Sequence, residues 1–237
     1  MPKNLIQQKR GKGSLSYRSP SHRFGADIKH RALSTDTHTG TVMDIVHSPG
    51  HSSPLCKIRY ADGTDVITVA TDGIFVKQQV VNGADAEVKS GNTLPLSAIP
   101  DGTLICNIEG LPGDGGKFVR SSGGTAKVIS HTVKGVVITM PSKKQRTFLP
   151  SCRATIGVAA GSGRREKPFL KAGRKHHAMK ARNKMWPTVS GAAMNALSHP
   201  LGGSRSSRKG RPTIAPKNAP PGRKVGMIRP RHTGRNK

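Results

Sequence analysis

The 237-residue sequence predicts an all-β fold: two small antiparallel barrels flanked by long, basic, irregular extensions. Three observations carry that prediction. Short β-branched runs recur between Gly-containing turns from residue 40 to residue 159, and no long amphipathic helix interrupts them. Hydrophobic content of 33% and aromatic content of 3% are low for one large core but sufficient for small ones. Charge is also segregated. Residues 32–161 hold 12 basic and 10 acidic residues, whereas residues 1–31 hold 8 and 1, and residues 162–237 hold 20 and 1. The formal charge of +28 therefore resides almost wholly in the two ends. Such an excess selects a polyanionic partner, because neutralising phosphates releases their counterions.

Residues 1–33 read as an extension. Gly11, Gly13, Ser14 and Ser16 keep it pliable, and Arg10, Lys12, Arg18 and Arg23 supply charge. Tyr17 and Phe24 offer rings on which bases stack. Residues 34–90 form the first expected barrel. Thr41–His47 is partly β-branched, and Leu55–Tyr60 alternates, with Cys56, Ile58 and Tyr60 on one face. Asp62-Gly63 is a hairpin signal, followed by Val66–Ala70, Asp72-Gly73, a strand over Ile74–Val81, and Asn82-Gly83. The polar stretch 84–92 marks the boundary. Residues 91–161 form the second barrel, with Leu104, Cys106 and Ile108 on one face of Thr103–Glu109. Thr125–His131, Val133–Met140, Gln145–Leu149 and Arg153–Ala159 continue it. Within it, residues 112–124 are glycine-rich but not a phosphate loop, since Leu111 and Phe118 stand where that motif needs Gly and Ser or Thr. Two readings remain for this loop: backbone amides with Lys117 and Arg120 meeting phosphate, or a plain flexible connection. Cys56, Cys106 and Cys152 are three, far apart and without a CxxC pair, which predicts buried thiols in a reducing compartment.

Residues 162–237 form the C-terminal extension. Its centre, Lys171–Gly203, carries Lys171, Arg174, Lys175, Lys180, Arg182 and Lys184 and no acidic residue. It also holds Trp186, the only tryptophan, with His176, His177 and His199. Such a segment repels itself and has no lasting apolar period, so it needs a polyanion to order. His176–Arg182 has room for a turn or two of helix. Further on, Pro and Gly alternate with cations such as Arg223 and Lys224, a composition suited to threading into a groove. No apolar run reaches transmembrane length, and no signal peptide is present. An enzyme using His199 finds no support in a nucleophile elbow, a zinc helix motif or paired carboxylates. His176-His177 is a poor metal pair, because adjacent residues diverge on a helix. A uniform DNA duplex suits the segmented tail less well than an irregular RNA.

Four runs, in order, resemble a known family. They are Gly113-Asp114-Gly115-Gly116-Lys117-Phe118 with Arg120-Ser121, then Ser151-Cys152-Arg153-Ala154-Thr155-Ile156-Gly157, then Lys171-Ala172-Gly173-Arg174-Lys175-His176-His177, and Gly191-Ala192-Ala193-Met194-Asn195-Ala196-Leu197-Ser198-His199-Pro200-Leu201-Gly202-Gly203. The chain is similar to the universal large-subunit ribosomal proteins number two, in their archaeal and eukaryotic form. The resemblance implies an oligonucleotide-binding-type barrel and then an SH3-like barrel, with both extensions buried in large-subunit rRNA. It implies a cytoplasmic, ribosome-bound, non-catalytic protein that binds rRNA early in assembly. It further implies a place near the peptidyl-transferase region and parts in subunit association and tRNA placement. Expected partners are large-subunit rRNA, neighbouring ribosomal proteins and the small subunit across a bridge, with neither membrane nor homo-oligomer. No metal site or cofactor is expected beyond the magnesium and monovalent ions that accompany rRNA. With the cations and rings already named, Arg153, Asn195 and His199 complete the expected contact set. The sequence departs from the family at Ser198, where an acidic residue is frequent, and at Leu201, where a histidine or aromatic is frequent. A carboxylate–imidazole relay between neighbours is therefore not available.

Overall fold

The computed structural model describes residues 10–34, 36–203, 214–220 and 222–226, and Arg23 by its backbone alone. The expectations for residues 1–9, 204–213, 221 and 227–237, and for the Arg23 side chain, lie outside the described residues. The chain divides into two compact units, Ser21–Phe169 and the two ends, Met1–Pro20 with Leu170–Lys237.

Ser21–Phe169 contains ten strands: β1 His38–Val46, β2 Leu55–Tyr60, β3 Asp65–Val69, β4 Gln79–Asn82, β5 Thr93–Pro95, β6 Leu104–Cys106, β7 Ala126–Thr132, β8 Gly135–Thr139, β9 Gln145–Phe148 and β10 Arg153–Ile156. They join in one sheet of order β3-β2-β1-β4-β5-β10-β6-β7-β8-β9. Every pairing is antiparallel except β4 with β5, which meet in parallel at Asn82 and Thr93 alone. That single bridge coincides with the polar stretch between the two expected barrels.

Alternation decides what is buried. Cys56, Ile58 and Tyr60 of β2 pack with Val42, Ala70 and Val80 in one core. Leu94, Leu96, Ile105, Ile108, Val128, Ile138 and Phe148 belong to another. A third core joins the halves, with Leu55 and Val69 against Cys106, Ala159 and Ile28. The two halves of the sheet therefore stabilise each other. Register shifts interrupt β1 between Val42 and Asp44 and β7 between Val128 and Ser130. The residues between them, Met43 and Ile129, turn outward while Val42 and Val128 remain buried, as a bulge requires.

Two strand expectations are corrected, and one strand was not expected. The strand over Ile74–Val81 is confined to Gln79–Asn82, because Lys77 adopts φ 71° and Phe75 to Gln78 closes a turn. Phe75 and Val76 are exposed on that turn. Leu104 does not share a buried face with Cys106 and Ile108. It is exposed, while Ile105 and Cys106 are both buried, and the strand stops where Asn107 takes φ 47°. The strand Thr93–Pro95 has no counterpart in the sequence reading, since three residues show no period. All three cysteines are free and buried, and burial pushes the Cys56 and Cys106 thiols up to about 12.

In the unit of the two ends, Ala172–Ala181 forms a ten-residue helix, α1, the one α-helix longer than a single turn among the described residues. It is longer than the turn or two expected, because Ala, Met, Lys and Arg are good helix formers. It buries none of its residues and has no acidic residue in its first turn. No helix among the described residues is long and apolar enough to cross a membrane.

Candidate nucleic-acid interface

In the unit of the two ends, the cations face outward. Arg10, Lys12, Arg18, Lys171, Arg174, Lys180, Arg182 and Lys184 are exposed, as are His176, His177, Asn195, Arg223 and Lys224; Lys175 is half-buried. Helix α1 begins at Lys171 without a side-chain cap and ends at Arg182. Along it no carboxylate stands three or four residues from any cation, so the like charges are not offset within the helix. Asn183, at φ 50°, terminates the turn, with its N–H donating to the Lys180 carbonyl (3.1 Å) and that of Lys184 to Met179 (2.9 Å). The Asn183 Nδ2 group donates to the carbonyls of Leu15 and Arg18, both at 2.9 Å. That pair of bonds fastens the N-terminal arm beside the helix. Sequence reasoning missed Asn183; an Asn just past a run of helix formers was the available signal.

Aromatic groups gather at the same place. The ring of His176 lies 5.6 Å from His177 and 6.3 Å from Trp186, edge to face in both cases. Lys175 Nζ stands 5.8 Å from the centre of the Trp186 ring, within cation–π range. No group of three or more His, Cys, Asp or Glu able to hold a metal occurs among the described residues.

The segment Gly191–Gly203 is a tight loop tied by its own backbone. Ser198 and His199 donate to Asn195, Gly202 to His199, and Gly203 to Met194. The Leu201 N–H donates to His199 Nδ1 at 3.1 Å. In a neutral imidazole this leaves the ring proton on Nε2, as a donor. The His199 ring lies close against Gly191, where any Cβ would overlap it. Gly191 is thus fixed by close approach rather than by backbone angle.

In Ser21–Phe169 the glycine-rich loop is not an open anion cradle. Asp114 accepts from the N–H groups of Gly110 (2.9 Å), Leu111 (3.2 Å) and Gly116 (3.0 Å). Glu109 accepts from Gly115 at 3.3 Å. The N–H groups of Gly110, Leu111, Gly115 and Gly116 are therefore spent on the protein's own carboxylates rather than open to an anion. Lys117 is exposed, while Arg120 is half-buried and donates to the Gly116 carbonyl at 2.7 Å. Arg153, expected among the contacts, lies inside. Its Nη2 and Nε donate to Glu109 Oε1 at 2.7 and 3.2 Å, and its backbone N–H to Oε2 at 2.9 Å. Burial pushes the Glu109 carboxyl up, but the hydrogen bonds and charge of Arg153 prevail and hold it below its ordinary value. Arg146, which the sequence reading passed over, stacks its guanidinium 4.5 Å from the Phe118 ring.

The family model for Ribosomal Proteins L2, C-terminal domain, matches residues 89–222. The large ribosomal subunit protein uL2 of Methanothermobacter thermautotrophicus is 49% identical over 241 aligned positions, covering 100% of both chains. Those of Natronomonas pharaonis and Haloarcula marismortui are each 47% identical, over 99% of this chain and 97% and 98% of theirs.

Proposed function

Because this chain belongs to the L2 family of large-subunit ribosomal proteins, and so to the cytoplasmic ribosome, we propose that it holds large-subunit rRNA through its two ends and supports subunit assembly. One observation carries the reading: α1 is a helix of mostly exposed cations that buries none of its residues and has no acidic residue to offset them. Phosphates supply the missing countercharge, and Arg10, Lys12, Arg18, Lys171, Arg174, Lys175, Lys180, Arg182 and Lys184 neutralise them. Lys117, Arg23, Arg223 and Lys224 extend the footprint, and Trp186, His176, His177, Asn195 and His199 meet bases or sugars. Arg120 and Arg153 shape the surface from within. Residues 34–90 then act as the oligonucleotide-binding-type barrel and residues 91–161 as the SH3-like barrel. Subunit association, tRNA placement, neighbouring ribosomal proteins and the small-subunit bridge follow from the family resemblance. No catalytic step is part of the proposal.

The test is the salt dependence of binding to a large-subunit rRNA fragment. The log–log slope is expected at about −0.7 to −0.9 per phosphate neutralised. Removing residues 170–237 should flatten it more than removing residues 1–20. Equal slopes for both truncations, or equal affinity for duplex DNA, would contradict the proposal.

A further inference from the structure

Beside α1 lies a hollow of about 300 Å³, formed wholly by the unit of the two ends. Tyr17, His176, Met179 and Trp186 give it rings and a thioether, and Lys180 and Lys184 give it positive charge. Among the described residues no carboxylate lines it. We propose that this hollow seats one unstacked base of RNA, with the flanking phosphates on Lys180 and Lys184. The inference rests on the rRNA-binding reading above and adds to it a site for a single base.

The hollow is built. Asn183 holds the arm by the carbonyls on either side of Tyr17, those of Leu15 and Arg18, and so fixes the tyrosine at the cavity wall. Asn183 can do this because its left-handed backbone ends α1 and turns its amide toward the arm. On the other side, Lys175 and the edge of His176 pack on the Trp186 ring and restrict it. Both rings are half-buried, so each keeps apolar surface toward solvent that a base would cover. A volume of this size is at the small end of ligand pockets, enough for one planar heterocycle. An apolar ligand alone would not account for the lysines, and a bare phosphate would leave the rings uncovered. A nucleotide satisfies both, and since every base has a π face the site discriminates weakly among bases.

Trp186 is the only tryptophan, so its emission reports the hollow directly in the full-length protein. The probes are a short single-stranded adenylate RNA and inorganic polyphosphate of matched charge, with binding scored independently by sedimentation. At saturation the RNA should quench Trp186 strongly and polyphosphate should leave it nearly unchanged. Tyr17→Ala should weaken the RNA about tenfold and leave polyphosphate affinity as it was. Asn183→Ala, which frees the arm without removing a ring, should act in the same direction. Equal quenching by both polyanions, or equal losses for both in Tyr17→Ala, would overturn the base site while leaving rRNA binding intact. Failure of the full chain to bind the RNA even at low salt would overturn the rRNA reading itself, and the site with it.

Discussion

Glu109→Gln is the most informative single change in the folded unit. Glu109 is fully buried and accepts four hydrogen bonds, three from Arg153 and one from the Gly115 amide. Glutamine keeps the volume and one carbonyl oxygen, which still serves a backbone N–H. It removes the charge that balances the Arg153 guanidinium, itself largely enclosed, and turns an NH₂ group toward other donors. Breaking a buried pair on one side costs about 3–5 kcal/mol, because a charge remains without countercharge. For a unit the size of Ser21–Phe169, about 3 kcal/mol lowers Tm by roughly 6–12 °C. The assay is thermal unfolding of the full chain at neutral pH, followed by circular dichroism of the β signal. Adding Arg153→Met to Glu109→Gln should return at least half of the loss, since the orphaned cation is gone and the glutamine carbonyl still serves the backbone. A Tm within about 2 °C of the parent for Glu109→Gln alone, or no recovery in the double variant, would refute the argument that this pair is an internal, mutually dependent charge couple.

Two further outcomes are expected. Burial, with the nearby Arg153 charge, lowers the His30 pKa from 6.5 to about 4, and its Nε2–H donates to the Asn107 carbonyl at 2.7 Å. The unfolded chain therefore takes up the proton first, so stability is complete above pH 6.5 and falls as pH drops toward 4, by about 3 kcal/mol in all. In His30→Gln that decline should be absent from urea titrations across the same window, and an unchanged decline would place its origin elsewhere. At His199, Gln can both accept from Leu201 and donate onward, whereas Ala can do neither. His199→Gln should assemble into large subunits nearly as the parent does, and His199→Ala should bind rRNA more weakly by about 1 kcal/mol. Equal and large losses in both variants would mean that the imidazole itself is required.

Much of the β unit was legible because strands advertise themselves by alternation and by their turns. Leu55–Tyr60 matches in both bounds and facing, and Asp62-Gly63 turns where expected, with Gly63 donating to Tyr60 at 2.9 Å. What failed depended on single residues leaving the extended region. Lys77 and Asn107, neither of them glycine, take positive φ; the first delays the start of β4 and the second ends β6, against apolar patterns that would have extended both strands. No period encodes such a choice; it is made by tertiary packing around the turn. The base hollow was half legible. Tyr17 and Trp186 stood out as rings among cations, but they are about 170 positions apart, and the Asn183 amide that ties the arm to the helix has no sequence period to announce it.

The same logic separates the two kinds of charge in this chain. Within Ser21–Phe169, several carboxylates pair with cations: Asp62 with Arg31, Asp65 with Lys57 and Arg59, Glu87 with Lys89, and Glu109 with Arg153. Asp114 is consumed by its own loop. The exposed pairs contribute little energy each, but they cancel much of the unit's charge and leave it without a strong demand for a counterion. The two ends, Met1–Pro20 and Leu170–Lys237, hold no acidic residue in the sequence, and α1 therefore has none. On the proposed reading, a chain that places its 12 carboxylates this way balances charge within one part and leaves the other to be neutralised by RNA. An acidic residue placed into α1, such as Arg174→Glu, would stabilise the free helix near its N-terminus. It would at the same time repel the phosphates that the helix is proposed to meet, so stability and binding should move in opposite directions.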